Sequence, residues 1–343
     1  MRKLVLLPLA TICFAGCDAA GPSPASAPTP GASVRGVLEP VDTIALRHSP
    51  GDPLIRLSGL DIRAGDGAMV VSDASGGTVQ LFARDGRLLR LLGRKGSGPA
   101  EFQIPYSPRF DPDGRIHVPD ARNTRITVFS PDGTVSGHVP LTAFVRVTAA
   151  EPEPAGTYLV AATRTEEDPH TLFRIDDRGR VLQPLLPLAD RASEDPMLAG
   201  IRRASFAVQG DSLYVALTTA DSVWSVPRGG GQVQRLHLRV PGYTAPKPPR
   251  PGIMSMREAA AWGRTFSMAA AVFATDGAVA VPFVRGVLFE GDSTTLLFRQ
   301  PGGSWISIAD PPIIVRAANG YFAALEDPYA DTLRIVLYRR RRG

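Results

Sequence analysis

At 343 residues and 44% hydrophobic content, the chain can hold one large core or two ordinary ones, and a closed ring of β-sheets is among the architectures that run this long as one unit. The net charge of +5 and pI near 9.5 raise the question of a nucleic-acid partner, but Lys occurs only at positions 3, 95 and 247 and the Arg is scattered with no basic stripe, so nucleic acid is not expected. Both cysteines, Cys13 and Cys17, lie at the N-terminus, which excludes an internal disulfide and a Cys-built metal site from the body of the protein.

The chain begins Met1-Arg2-Lys3, continues through the apolar run LVLLPLATICF and reaches Phe14-Ala15-Gly16-Cys17. A basic start and an apolar run too short to span a bilayer predict an export signal over residues 1–16. The FAGC tetrad resembles the lipobox of bacterial lipoproteins, which implies lipidation of Cys17, a membrane anchor there and a place in the cell envelope, periplasmic or at the cell surface. Residues 17–36 are rich in Pro, Ala and Ser and predict a flexible tether. The remaining span, 37–343, reads as one domain.

That domain opens on β-like runs at 43–48, 57–63, 68–72, 78–82 and 87–92, divided by Gly and Asp. Part of it is then written twice. The pairs Asp85-Gly86 and Asp132-Gly133 lie 47 residues apart, as do Asp73 and Asp120. A period of about 40–50 residues with several short strands per unit marks a β-propeller blade. Tight Asp-Gly turns at Asp66-Gly67 and Asp85-Gly86 join the first to the second strand and the third to the fourth. The other connections are looser. A four-stranded meander therefore sends the tight turns to one face, here called the floor, and the variable loops to the other, the crown.

Further third strands are predicted at 171–175, 222–226, 294–298 and 332–338, with final turns at Arg178-Gly179, Gly229-Gly230 and Gly302-Gly303. The total is six blades, all-β, each a four-stranded antiparallel sheet. The last blade lacks its outer strand, and the N-terminal segment Val41–His48 is expected to supply it. Two crown insertions, 188–203 and 241–265, join blades three and four and blades four and five; Ser255-Met256-Arg257-Glu258 in the second is a capping-box signature for a short helix.

Residues 93–133 carry a Gly-rich G-x-G-P-x-E-F approach, a D-P-D-G turn, a V-P-D and an R-I-T-V-F strand. This stretch resembles the NHL repeat, and the whole chain is similar to bacterial lipoproteins of the six-bladed propeller class with NHL-like units. The resemblance implies the propeller fold and export.

Chemistry is less clearly written. Gly210-Asp211-Ser212-Leu213 spells the motif of the GDSL hydrolases, but the last histidine is His237, so a nucleophilic Ser212 has no later Asp-x-x-His to draw a base from; the position also matches a first hairpin turn. The five histidines, at 48, 117, 138, 170 and 237, fall on different strands without pairing. Asn occurs only at 123 and 319, which leaves the Glu/Asn/Asp ligand set of propeller lactonases poorly supplied. No cofactor is therefore predicted. The carboxylate run Glu166-Glu167-Asp168 reads either as a Ca²⁺ ligand set or as a solvated loop, and Asp73 and Asp120 read as turn-capping acids.

Arg94, Lys95, Arg122 and Arg164 map to crown loops, where they read as anion or acidic-partner contacts or as solvated surface. Tyr243, Arg257 and Trp262 read as ligand-facing groups of a lid over the central funnel or as loop residues packed on the blades. The sequence thus predicts a monomeric, lipid-anchored envelope propeller that binds a small anionic ligand or an envelope protein through its loop-rich face. The alternative is a metal-dependent hydrolase or lyase with its site in the central funnel. The inner ends of the first strands, near Leu57, Ser107, Val145, Ala204, Phe266 and Ile313, are where acids or histidines would converge in that case.

Overall fold

The computed structural model describes residues 29–48, 51, 53–165, 168–187, 196–249, 255–285, 294–301, 303–328 and 330–341. Cys13, Cys17, Glu166 and Glu167 lie outside these residues.

Six antiparallel sheets follow one another along the chain. Blade 1 comprises Leu57–Ile62, Met69–Asp73, Thr78–Phe82 and Leu88–Lys95; blade 2, Arg109–Phe110, Ile116–Asp120, Arg125–Phe129 and Val135–Pro140. Blade 3 comprises Arg146–Glu153, Thr157–Thr163, His170–Ile175 and Val181–Pro187, and blade 4 Ala204–Gln209, Ser212–Leu217, Ser222–Pro227 and Gln234–His237. Blade 5 is built on Ala278–Arg285, Thr294–Arg299 and Trp305–Ala309; its first strand is split into Ser267–Ala269 and Phe273–Thr275. Pro282 on the neighbouring strand has no N–H to give, so the ladder breaks there and Ala270 N–H reaches Pro282 O from outside it. Blade 6 comprises Ile313–Ala318, Tyr321–Leu325 and Arg334–Arg340, and its outer strand is Leu38–Ala45 from the start of the chain.

That last pairing is antiparallel from Leu38 opposite Arg340 to Ala45 opposite Arg334, so the expected ring closure is present. The first strands touch their neighbours all the way round, blade 6 to blade 1 included. The molecule is a six-bladed β-propeller. Upstream of the closing strand, Thr29–Ala32 adds a parallel strand to the outer edge of blade 5, and Ser33 caps a single helical turn, Val34–Val37, by accepting from Gly36 N–H at 3.2 Å.

Alternation along each strand distributes the core. On Met69–Asp73, Met69 and Val71 pack toward blade 6 while Val70 packs toward blade 2. Six apolar clusters result, one for each pair of adjacent blades. The core is thus six radial layers, and the axis of the ring is left for other residues.

The turns repeat one geometry. Gly86 N–H returns to Ala83 O, Gly133 to Ser130, Gly179 to Asp176, Gly230 to Pro227 and Gly303 to Gln300. All five glycines have positive φ, between 75° and 87°, which glycine adopts without steric cost. These are the third turns of blades 1 to 5, and they share the floor with the first turns. Gly210–Asp211 is the first turn of blade 4, and Ser212 opens its second strand opposite Gln209, so the hydrolase-like tetrad is a hairpin. The helix Met256–Gly263 carries the expected capping box: Ser255 Oγ accepts from Glu258 N–H at 3.3 Å while Glu258 Oε2 accepts from Ser255 N–H at 2.7 Å.

Candidate functional site

Asp73 and Asp120 do more than cap their own turns. Asp73 Oδ1 accepts from Ser75 and Gly76 N–H at 2.8 and 2.9 Å, and its Oδ2 accepts from Ile55 N–H on the incoming connection. Asp120 repeats this one blade later, with Oδ1 on Arg122 and Asn123 N–H and Oδ2 on Gln103 N–H at 2.7 Å. Both carboxylates are fully buried. Asn123 Nδ2 adds bonds to Gly96 O and Glu101 O, and Arg125 reaches Gly98 O, so the Gly-rich connection is held against the crown of blade 2. The acids are crown fasteners.

A cavity of about 850 Å³ occupies the axis inside this rim. Its lining takes in the crown connections at Ala74, Ser75, Ile104 and Asp310 and none of the floor turns, so its mouth is on the crown. Ser107 and Asp310 at this mouth hold φ of 41° and 47°, a left-handed backbone unusual for residues with a side chain.

Besides Arg56 and Asp310 at the crown end, charge gathers at one level of the cavity, near the floor ends of four consecutive first strands. Arg316 comes from blade 6, Asp61 from blade 1, Arg109 from blade 2 and Glu151 from blade 3, alternating in sign around the ring. Arg316 Nε donates to Asp61 Oδ1 at 2.7 Å, Phe110 N–H donates to Asp61 Oδ2 at 2.9 Å, and Arg109 Nε lies 3.5 Å from Glu151 Oε2. Asp61 is 5% exposed and both its oxygens are engaged, whereas Arg109, Arg316 and Glu151 line the cavity. Burial, and then the charge of Arg316, pull the Arg109 guanidinium below its ordinary pKa. Burial opposes the Arg316 charge as well, but the Asp61 and Glu151 carboxylates outweigh it and hold that pKa above the ordinary value. Blades 4 and 5 bring only small or apolar groups to the opposite wall, among them Phe206, Ala207, Val272 and Ala274.

The crown residues singled out from the sequence lie elsewhere. Arg94 is exposed and pairs with Glu101 at 3.2 Å, Lys95 is exposed at the end of its strand, and Arg122 is exposed on the next blade. Arg164 lies 3.8 Å from Asp168. Tyr243 is half-buried edge-on to Phe283, with its phenol donating to Thr219 O at 3.4 Å; burial pushes its pKa up to about 12. Trp262 packs edge-on to Phe266 and donates from Nε1 to Lys247 O at 2.9 Å, while Arg257 is exposed on the helix. None of the seven lines the axial cavity.

Among the described residues no group of three His, Cys, Asp or Glu side chains is arranged to hold a metal ion. The four axial charges were not singled out by sequence reasoning, and the positions it named, near Leu57, Ser107, Val145, Ala204, Phe266 and Ile313, lie at the opposite, crown ends of the first strands. Their one signal is a charged residue interrupting an otherwise apolar first strand a few positions before a floor turn, as in LSGLDI and IIVRAA.

No family model matches the chain. It is 39% identical over 69 residues to NHL repeat-containing protein 3 of Mus musculus, a match covering 19% of this chain and 20% of that relative's length. Among solved structures, a protein from Bacteroides fragilis described as exported superposes with a TM-score of 0.64 at 12% identity, covering 92% of this chain and 98% of the other. A member of the DUF4221 family from Bacteroides vulgatus gives 0.63 at 10% identity, covering 89% and 98%. These likenesses carry the propeller fold, and the sequence match carries the NHL-like character of part of it.

Proposed function

We propose that this chain is an exported, lipid-anchored binding propeller whose ligand enters the axial cavity from the crown. The carrying observation is the cavity itself: about 850 Å³ with a mouth on the crown and a wall part charged and part apolar, within the size range of small-molecule sites. The signal-like start and FAGC tetrad support export and lipidation at Cys17, and a structural neighbour described as exported agrees with them. Chain order supports an orientation. Thr29 pairs beside Ile306, near the floor end of the outer strand of blade 5, so the described chain joins the ring on the floor side. An anchor upstream of Thr29 is proposed to leave the mouth facing away from the membrane.

N-Phenyl-1-naphthylamine, a neutral fluorescent probe, tests the cavity. The purified protein is expected to give a saturable fluorescence gain, and Ala271→Trp, which fills the cavity from the irregular segment of blade 5, to lose it at unchanged melting temperature. Equal binding by both proteins would remove the cavity reading. For the anchor, Cys17→Ser is expected to move the protein from the membrane fraction to the soluble one; unchanged fractionation would contradict it.

A further inference from the structure

The floor end of the cavity presents two guanidinium groups that are only partly spent on protein partners. Arg316 uses Nε on Asp61 and Arg109 uses Nη1 on Pro108 O at 2.9 Å and Nε, at long range, on Glu151. Both Nη groups of Arg316 and Nη2 of Arg109 make no hydrogen bond among the described residues. The two side chains keep 17% and 12% exposure, and both line the cavity. Asp61, the strongest acid contact, does not line it. Of the charged groups the floor end offers a ligand, two are cations and one, Glu151, is an acid already beside Arg109.

Across from this pair the wall is apolar, with Phe206, Val208, Val272 and Phe273. A ligand meeting both walls needs an anionic head for the first and a hydrocarbon body for the second. Water would satisfy the guanidinium donors but leave the apolar wall unmatched; a neutral hydrocarbon would do the reverse. The charge of Arg316 also disfavours that of Arg109, and a ligand anion beside the pair would offset this.

We propose that the cavity binds an amphipathic carboxylate, its head accepting from Arg109 and Arg316 and its apolar body lying along blades 4 and 5. This rests on the cavity reading above and adds the class of ligand. Charge-assisted hydrogen bonds to planar guanidinium groups suit a carboxylate in particular.

Displacement of bound N-phenyl-1-naphthylamine by decanoate and by 1-decanol separates the two readings. The chains match in length and differ in the head. Decanoate is expected to displace the probe at a concentration at least about tenfold lower than 1-decanol does, the scale of one charge-assisted hydrogen bond. In Arg316→Gln and Arg109→Gln the gap is expected to shrink severalfold while the probe still binds. If either variant fails to fold, seen as loss of probe binding and of the β-sheet circular dichroism, the wild-type comparison decides alone. Equal displacement by acid and alcohol in the wild-type protein would overturn the carboxylate assignment and leave the cavity reading standing. Absence of probe binding to the wild-type protein would remove both.

Discussion

A Cβ added at Gly59 would lie 2.4 Å from Ser107 N and 2.6 Å from Pro108 Cδ, because the first strand of blade 1 runs against the start of blade 2 at the cavity wall. Backbone cannot yield as a flexible side chain can. Gly59→Ala is therefore expected to lower stability by about 1–3 kcal/mol in urea unfolding, the cost of overpacking, and an unchanged midpoint would show that the wall is looser than described. His117 offers a residue-scale prediction of a different kind. Its ring is buried between Asp111 Oδ2 and Tyr158 Oη, each at 3.1 Å, and burial lowers its pKa, while burial pushes the Tyr158 phenol up to about 12. Asp111 is held below the usual carboxylate range in spite of burial, by its bonds to His117 and Arg115, so it accepts from Nε2–H and leaves Nδ1 to accept from the tyrosine. The sign follows from the unfolded chain binding the proton first. Stability is full above the ordinary histidine pKa of about 6.5 and falls as pH drops below it toward the folded value. His117→Gln is expected to flatten that slope in melts between about pH 6.5 and 5, with His138, also lowered by burial, supplying the remainder. A slope identical to the wild type would assign the effect elsewhere. Neither position announces itself in sequence. The neighbours of Gly59, and Tyr158 beside His117, lie on the next blade, and a single chain carries no sign of which residues will face each other across it.

Elements were more legible than contacts. The third strands predicted at 78–82, 171–175, 222–226 and 294–298 are observed at Thr78–Phe82, His170–Ile175, Ser222–Pro227 and Thr294–Arg299, because each combines β-branched or apolar residues with a Gly-bearing turn that must leave the strand. The capping box placed the short helix for a similarly local reason. Where an element depends on its neighbour, local reading stops. The split first strand of blade 5 owes its break to Pro282 on the adjacent strand, and Phe110, on the two-residue first strand of blade 2, gives its outward N–H to Asp61 of the preceding blade. Asp73 and Asp120 show both sides of this. Their turn-capping role follows from the residues just after them, while their hold on Ile55 and Gln103 required the ring. The four axial charges belong to the same case: each comes from a different blade, and only the convergence of four blades makes them a site.

At the scale of the whole molecule, the count of six blades and the closing strand were both readable, since the last blade was one strand short and the first segment one strand in excess. Closure makes a strong prediction. Removal of residues 1–45 deletes the partner of Arg334–Arg340 and uncovers that strand along its length. The truncated protein is expected to melt at least several degrees lower and to self-associate through the open edge, as seen by calorimetry and light scattering; a monomer with unchanged melting temperature would show the closing strand to be dispensable. The same pairing also sets a clock. Leu38–Ala45 finds its place only against a strand near the far end of the chain, and contacts so distant in sequence form slowly because the loop between them must first be ordered. Five blades can assemble as they emerge, but the ring cannot lock until Arg334–Arg340 has followed them. A chain threaded across a membrane before folding meets that condition without risk of premature closure, and any step that delays its final residues lengthens the life of an open, association-prone intermediate.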